Sequence, residues 1–167
     1  MVLSAPRSAS TWVANWLTTE RTLCLHDPVL EHAPEAMDAI ACDRRLGVAC
    51  TGLALLPDFV NAHAARKVIV HRHLEEVNES LETIGLTPLG LPWRRALERI
   101  KGFHAAYSDL FEPASAAILY EHLTGFDFDA VRHANLCAMH VEPQFEKIKI
   151  RPERAREFRK RVERAFA

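Results

Sequence analysis

Short apolar runs alternate along the chain with stretches in which apolar residues recur every three or four positions. Lys67-Val68-Ile69-Val70-His71 is the clearest strand, short and β-branched, as a parallel strand covered on both faces requires. Val2-Leu3, Arg21 to Leu25, Leu46 to Cys50, Ala116 to Tyr120 and Leu136 to Val141 read as further strands. A helix follows the first of them, with Trp12, Val13, Trp16 and Leu17 on one face. Val29 to Ala41 is weakly helical, and Leu53 to His63 is helical. Leu74, Val77, Leu81 and Ile84 recur at helical spacing, with Glu75, Glu76, Glu79 and Glu82 outside. Pro92 opens a longer helix whose apolar face runs Trp93, Leu97, Ile100, Phe103, Tyr107 and Leu110. A short helix is predicted over Phe126 to His133. A charged one spans Pro152 to Phe166, with Ala155, Phe158, Val162 and Phe166 as a narrow stripe. Alternation of this kind predicts one α/β domain over residues 1–167, with three layers (α/β/α) and a central, mainly parallel sheet.

Composition narrows the functional classes. The formal net charge of −1 predicts no nucleic-acid or membrane partner, so any anion site must be local. Cys24, Cys42, Cys50 and Cys137 form no zinc-type spacing, and free thiols in a reducing compartment are the simplest account. His71 and His73 flank Arg72 without a further ligand at suggestive spacing, so no metal is expected. No stretch resembles a signal peptide or a membrane span, and a cytoplasmic location is expected.

The candidate chemistry lies where strands run into helices. Val2-Leu3-Ser4-Ala5 passes into Pro6-Arg7-Ser8-Ala9-Ser10-Thr11-Trp12, a strand, a small-residue loop and a helix start. Unpaired N–H groups and the helix dipole favour an anion there. Arg7 adds a planar fork of donors, and Ser8, Ser10 and Thr11 add hydroxyls. No Gly-Lys-Ser/Thr closes the loop, so this is not a Walker sequence. Arg72 ends the strand at Lys67–His71 in the same manner. Ligands of open parallel sheets bind beyond the carboxyl ends of the strands, so two cations face one cleft if those strands are neighbours.

Taken together, the two stations resemble the sulfotransferases that use 3′-phosphoadenosine 5′-phosphosulfate (PAPS). Pro6 to Trp12 is similar to that family's 5′-phosphosulfate loop, and the strand ending in Arg72 with Ser80 eight residues on is similar to its 3′-phosphate element. Leu119-Tyr120-Glu121-His122-Leu123 is a weaker echo of its strand ending in Tyr-Glu-Asp-Leu. The resemblance implies a P-loop NTPase-like form of the α/β fold. It assigns Arg7, Ser8, Ala9, Ser10 and Thr11 to the 5′-phosphosulfate, Arg72 and Ser80 to the 3′-phosphate, and Trp12 to stacking on adenine. It implies transfer from PAPS, leaving adenosine 3′,5′-bisphosphate (PAP), to a hydroxyl or amine of a small molecule or saccharide. Arg7 would stabilise charge on the leaving phosphate, and a base is expected among Asp27, Glu31 and His26, in that order of preference for the first.

The sequence departs from the family pattern at Ala9, where glycine is usual, and the family's C-terminal Arg-Lys-Gly segment is not visible. A non-catalytic nucleotide-binding module on the same fold is therefore the alternative, and a small-molecule kinase a third, disfavoured by the missing lysine. The cations from Arg151 to Arg164 are interspersed with Glu153, Glu157 and Glu163, which predicts a solvated helix.

Overall fold

A computed structural model describes residues 1–139 and 152–166. Among them, β1 (Val2–Ser4), β2 (Thr22–His26), β3 (Arg45–Cys50), β4 (Val68–His71) and β5 (Phe103–Ala106) form one sheet in the order β2-β3-β1-β4-β5. Every neighbouring pair is parallel. Leu3 lies level with Cys50 on one side and Ile69 on the other.

Side chains alternate between the two faces of a strand, and here both faces are covered. Val2, Ala49, Val68, Val70 and Ala105 pack with α1 (Ser10–Leu17) and α5 (Pro113–Thr124), and α6 (Ala130–Ala138) adds Leu136. Leu3, Val48, Cys50 and Ile69 pack on the opposite side. There they meet α2 (Pro57–Ala62), α3 (Leu74–Glu82), α4 (Leu91–Arg99) and α7 (Pro152–Ala165). The result is the three-layer α/β/α arrangement. Among the described residues no helix is long and apolar enough to cross a membrane.

Five predicted elements differ from the structure. Ala116 to Tyr120 is not a strand but the middle of α5. Glu112 accepts from the N–H groups of Ala114 and Ser115 at 3.1 and 2.6 Å, and Gly125 closes the helix at φ 68°. Start and stop signals thus outweigh an apolar run that fits strand and helix alike. Leu119 to Leu123 therefore ends no strand, and Tyr120 is buried against Trp16 and Phe128. The final predicted strand falls in α6 up to Ala138, while 140 and 141 lie outside the described residues. The helix opened by Pro92 stops at Arg99, and Phe103–Ala106 leaves it to become edge strand β5, with a 3₁₀ turn at Tyr107–Leu110. Val29 to Ala41 holds two 3₁₀ turns, Pro28–Leu30 and Pro34–Ala39, each opened by a proline. Leu53 to His63 divides at Pro57 into a 3₁₀ turn, Gly52–Leu55, and α2.

Candidate functional site

The loop between β1 and α1 holds Arg7 at φ 60° and Ala9 at φ 65°. The left-handed region costs an L-residue about 1–2 kcal/mol. Such backbone turns N–H groups into a concavity suited to anions. The first bond entering α1 runs from the Val13 N–H to the Ala9 carbonyl at 2.8 Å, so the amides of Ser10, Thr11 and Trp12 precede the helical ladder. Ser8, within the loop, is buried, and its hydroxyl lies 3.5 Å from the Pro6 carbonyl.

Because β1 and β4 are paired neighbours, the chains leaving them run side by side. Arg7 Nε donates to Ser80 Oγ at 2.9 Å, reaching from the first loop to α3. Arg72 donates to the Arg7 carbonyl at 2.5 Å and to Glu76 at 3.1 Å, with its guanidinium 4.6 Å from the centre of the Tyr107 ring. Arg7, Arg72 and Ser80 thus form one cluster at the carboxyl edge of the sheet. Glu76 offsets part of its positive charge from a half-exposed position.

At the end of β2, His26 Nε2 lies 3.0 Å from Ser10 Oγ, 3.2 Å from Thr11 Oγ1 and 3.2 Å from Asp27 Oδ2. All three contacts converge on one ring nitrogen. A nucleophilic triad instead needs the acid and the hydroxyl on opposite nitrogens, so this is not one. Asp27, at φ 42°, is pinned by Thr51, whose N–H and hydroxyl donate to Oδ1 at 2.6 and 2.9 Å. Beneath the pair, burial and then the Asp27 charge push the Cys50 thiol well above the usual thiol range, so it stays protonated. Thr51 escaped the sequence reading. Its signal was positional, a hydroxyl one residue beyond the carboxyl end of a strand.

Two predicted site residues lie apart from these clusters. Glu31 is exposed at the end of the 3₁₀ turn, with no side-chain hydrogen bond among the described residues. Trp12 is only 6% exposed, and its ring packs 5.3 Å from Trp16 and 5.1 Å from Phe111, while its N–H donates to the Leu136 carbonyl. It is a core residue rather than a platform for adenine, because α6 and the segment after β5 close over the helix face that carries it.

Following the sheet order, the edge presents His26 and Asp27, then Thr51, the Arg7 loop, Arg72 and Tyr107. Among the described residues no group of three or more His, Cys, Asp or Glu side chains is arranged to hold a metal ion. Fold and site define an α/β protein with arginine, hydroxyl and His–Asp side chains gathered at the carboxyl edge of a parallel sheet. No protein-family model matches the chain, and no curated protein matches it.

Proposed function

We propose that the protein is a sulfotransferase, passing a sulfuryl group from PAPS to a hydroxyl or amine of a small molecule or saccharide. The observation that carries this reading is the meeting of Arg7, Arg72 and Ser80, from two separate strand–loop–helix units, beside the open amides of α1. A nucleotide with phosphate groups at both ends needs donors from more than one such unit. Arg7, Ser8, Ala9, Ser10 and Thr11 would hold the 5′-phosphosulfate, and Arg72 with Ser80 the 3′-phosphate. The donor supplies an activated sulfuryl group when bound.

The chain's own residues supply charge and a proton acceptor. The acceptor oxygen bonds to sulfur as the bridging sulfur–oxygen bond breaks, and the electron pair leaves on the 5′-phosphate. Preorganised guanidinium and amide donors are suited to that developing charge. The acceptor's proton passes to the Asp27 carboxylate, which His26 Nε2 at 3.2 Å and Thr51 hold in place. This places His26 and Asp27 ahead of solvent-facing Glu31. Ala9 does not by itself favour a non-catalytic module, since alanine here takes the left-handed conformation that glycine takes easily.

Thermal stability with PAP and with ATP tests the reading. PAP at a hundred times its dissociation constant adds about 2.7 kcal/mol to the native state. Arg72→Ala should remove that gain, and ATP should give less. Transfer of labelled sulfate to an acceptor panel then separates an enzyme from a binding module. The proposal fails if PAP leaves the melting temperature unchanged, or if Arg72→Ala responds to PAP as fully as the native chain does.

A further inference from the structure

We infer that the acceptor is an anion, a hydroxyl-bearing molecule with a carboxylate or sulfate held by α7, and this rests on the sulfotransferase reading. A cavity of about 430 Å³ opens between α7 and the two 3₁₀ turns that follow β2, within the range of small-molecule sites. Its wall begins beside the proposed base. Val29, two residues on from Asp27, lines it together with Phe158 of α7. A Cβ placed on Gly52 would lie 2.7 Å from Val29 Cγ2 and 3.2 Å from Phe158 Cζ, so both side chains pack close to Gly52. Gly52 directly follows Thr51, the residue that pins Asp27.

The cavity's charge is unbalanced. Arg154, Lys160, Arg161 and Arg164 line it, against Glu35 and Glu157. Arg161 pairs with Glu35 at 2.5 Å and lies over the Phe59 ring at 5.0 Å, which ties α7 to the body. Burial raises the Glu35 carboxyl somewhat, but its backbone hydrogen bond and the Arg161 bond and charge outweigh that and hold it below the usual range. Arg154 pairs with Glu157 at 2.9 Å. Lys160 and Arg164 have no carboxylate partner among the described residues, so two cations face this space. Arg159 and Glu163, both well exposed, pair with each other and do not line it. Thus α7 is not uniformly solvated: part of its positive charge lines a cavity whose wall starts at Val29, two residues on from the candidate base, in a chain of net charge −1. A hydroxyl directed at His26 and Asp27 would leave the remainder of the molecule to reach Lys160 and Arg164, where an anionic group would pair with both cations.

Calorimetric titration with p-nitrophenyl β-D-glucuronide and p-nitrophenyl β-D-glucoside, which differ by one carboxylate, tests this. Each is titrated into the full chain with and without saturating PAP. The glucuronide should bind at least tenfold more tightly than the glucoside. Lys160→Gln with Arg164→Gln, both exposed positions, should abolish the difference while leaving the melting temperature and the PAP stabilisation unchanged. Equal affinities, no detectable glucuronide binding, or a preference that survives the double substitution would overturn the inference. If PAP fails to stabilise the chain while the glucuronide preference is present and lost in the variant, the PAPS reading falls and the anion cavity stands.

Discussion

Ala9 carries a left-handed backbone without the freedom of glycine, and the strain lies in the loop where α1 begins. Ala9→Gly relieves about 1–2 kcal/mol of steric cost. Part of that is returned as the larger conformational entropy glycine loses on folding, about 0.5–1 kcal/mol. The substitution should therefore raise stability by about 0.5–1 kcal/mol in urea denaturation. A loss of stability would mean that this position is not left-handed. The departure from glycine was visible in the sequence, but its conformational consequence was not. His26 shows the same division. His26-Asp27-Pro28 read as a turn with three candidate bases nearby, and nothing local chose among them. Packing of α1 against β2 brought His26 to Ser10 and Thr11, and Thr51 fixed Asp27, whereas Glu31 stayed in solvent.

Among the elements, β5 shows how helical spacing can mislead. Phe103, Tyr107 and Leu110 continue the apolar rhythm of α4, yet the helix ends at Arg99. The usable signal was Gly102, an interruption just before the strand. A Cβ there would lie 2.6 Å from Ile69 Cδ1, 2.9 Å from Lys67 Cβ and 3.0 Å from the Lys67 carbonyl oxygen. The close approach to β4 accepts only glycine. Gly102→Ala should push β5 away from β4 and cost about 1–3 kcal/mol, measured by chemical denaturation. A neutral outcome would show that β5 does not pair with β4 as described. In α5 the opposite error arose. A run of apolar residues suggested a strand, while Pro113, the Glu112 cap and Gly125 specified a helix. Arg66 adds a cation at its carboxyl end, donating to the His122 carbonyl at 2.9 Å.

For the whole molecule, the strand order decides both stability and site. β1, β3 and β4 are paired on both sides and carry fully buried Leu3, Ala49 and Ile69, whereas among the described residues β2 and β5 are the edges of the sheet. Amide hydrogen exchange should be slowest in β1 and β4 and faster in Phe103–Ala106, because an edge strand opens without disrupting the centre. Protection of β5 equal to that of β1 would contradict this order. The alternation of strand and helix, and with it the α/β class, followed from the sequence by itself, because hydrophobic periodicity is local. So did the small-residue loop with Arg7 and the strand ending in Arg72. Which ends become neighbours was decided only in three dimensions. β1 pairs with β4 across some sixty residues, a choice made by mutual burial and ladder hydrogen bonds rather than by any local pattern. That pairing brings Arg72 onto Arg7, folding of α3 against the sheet brings Ser80 to the same place, and closure of the aromatic core turns Trp12 inward.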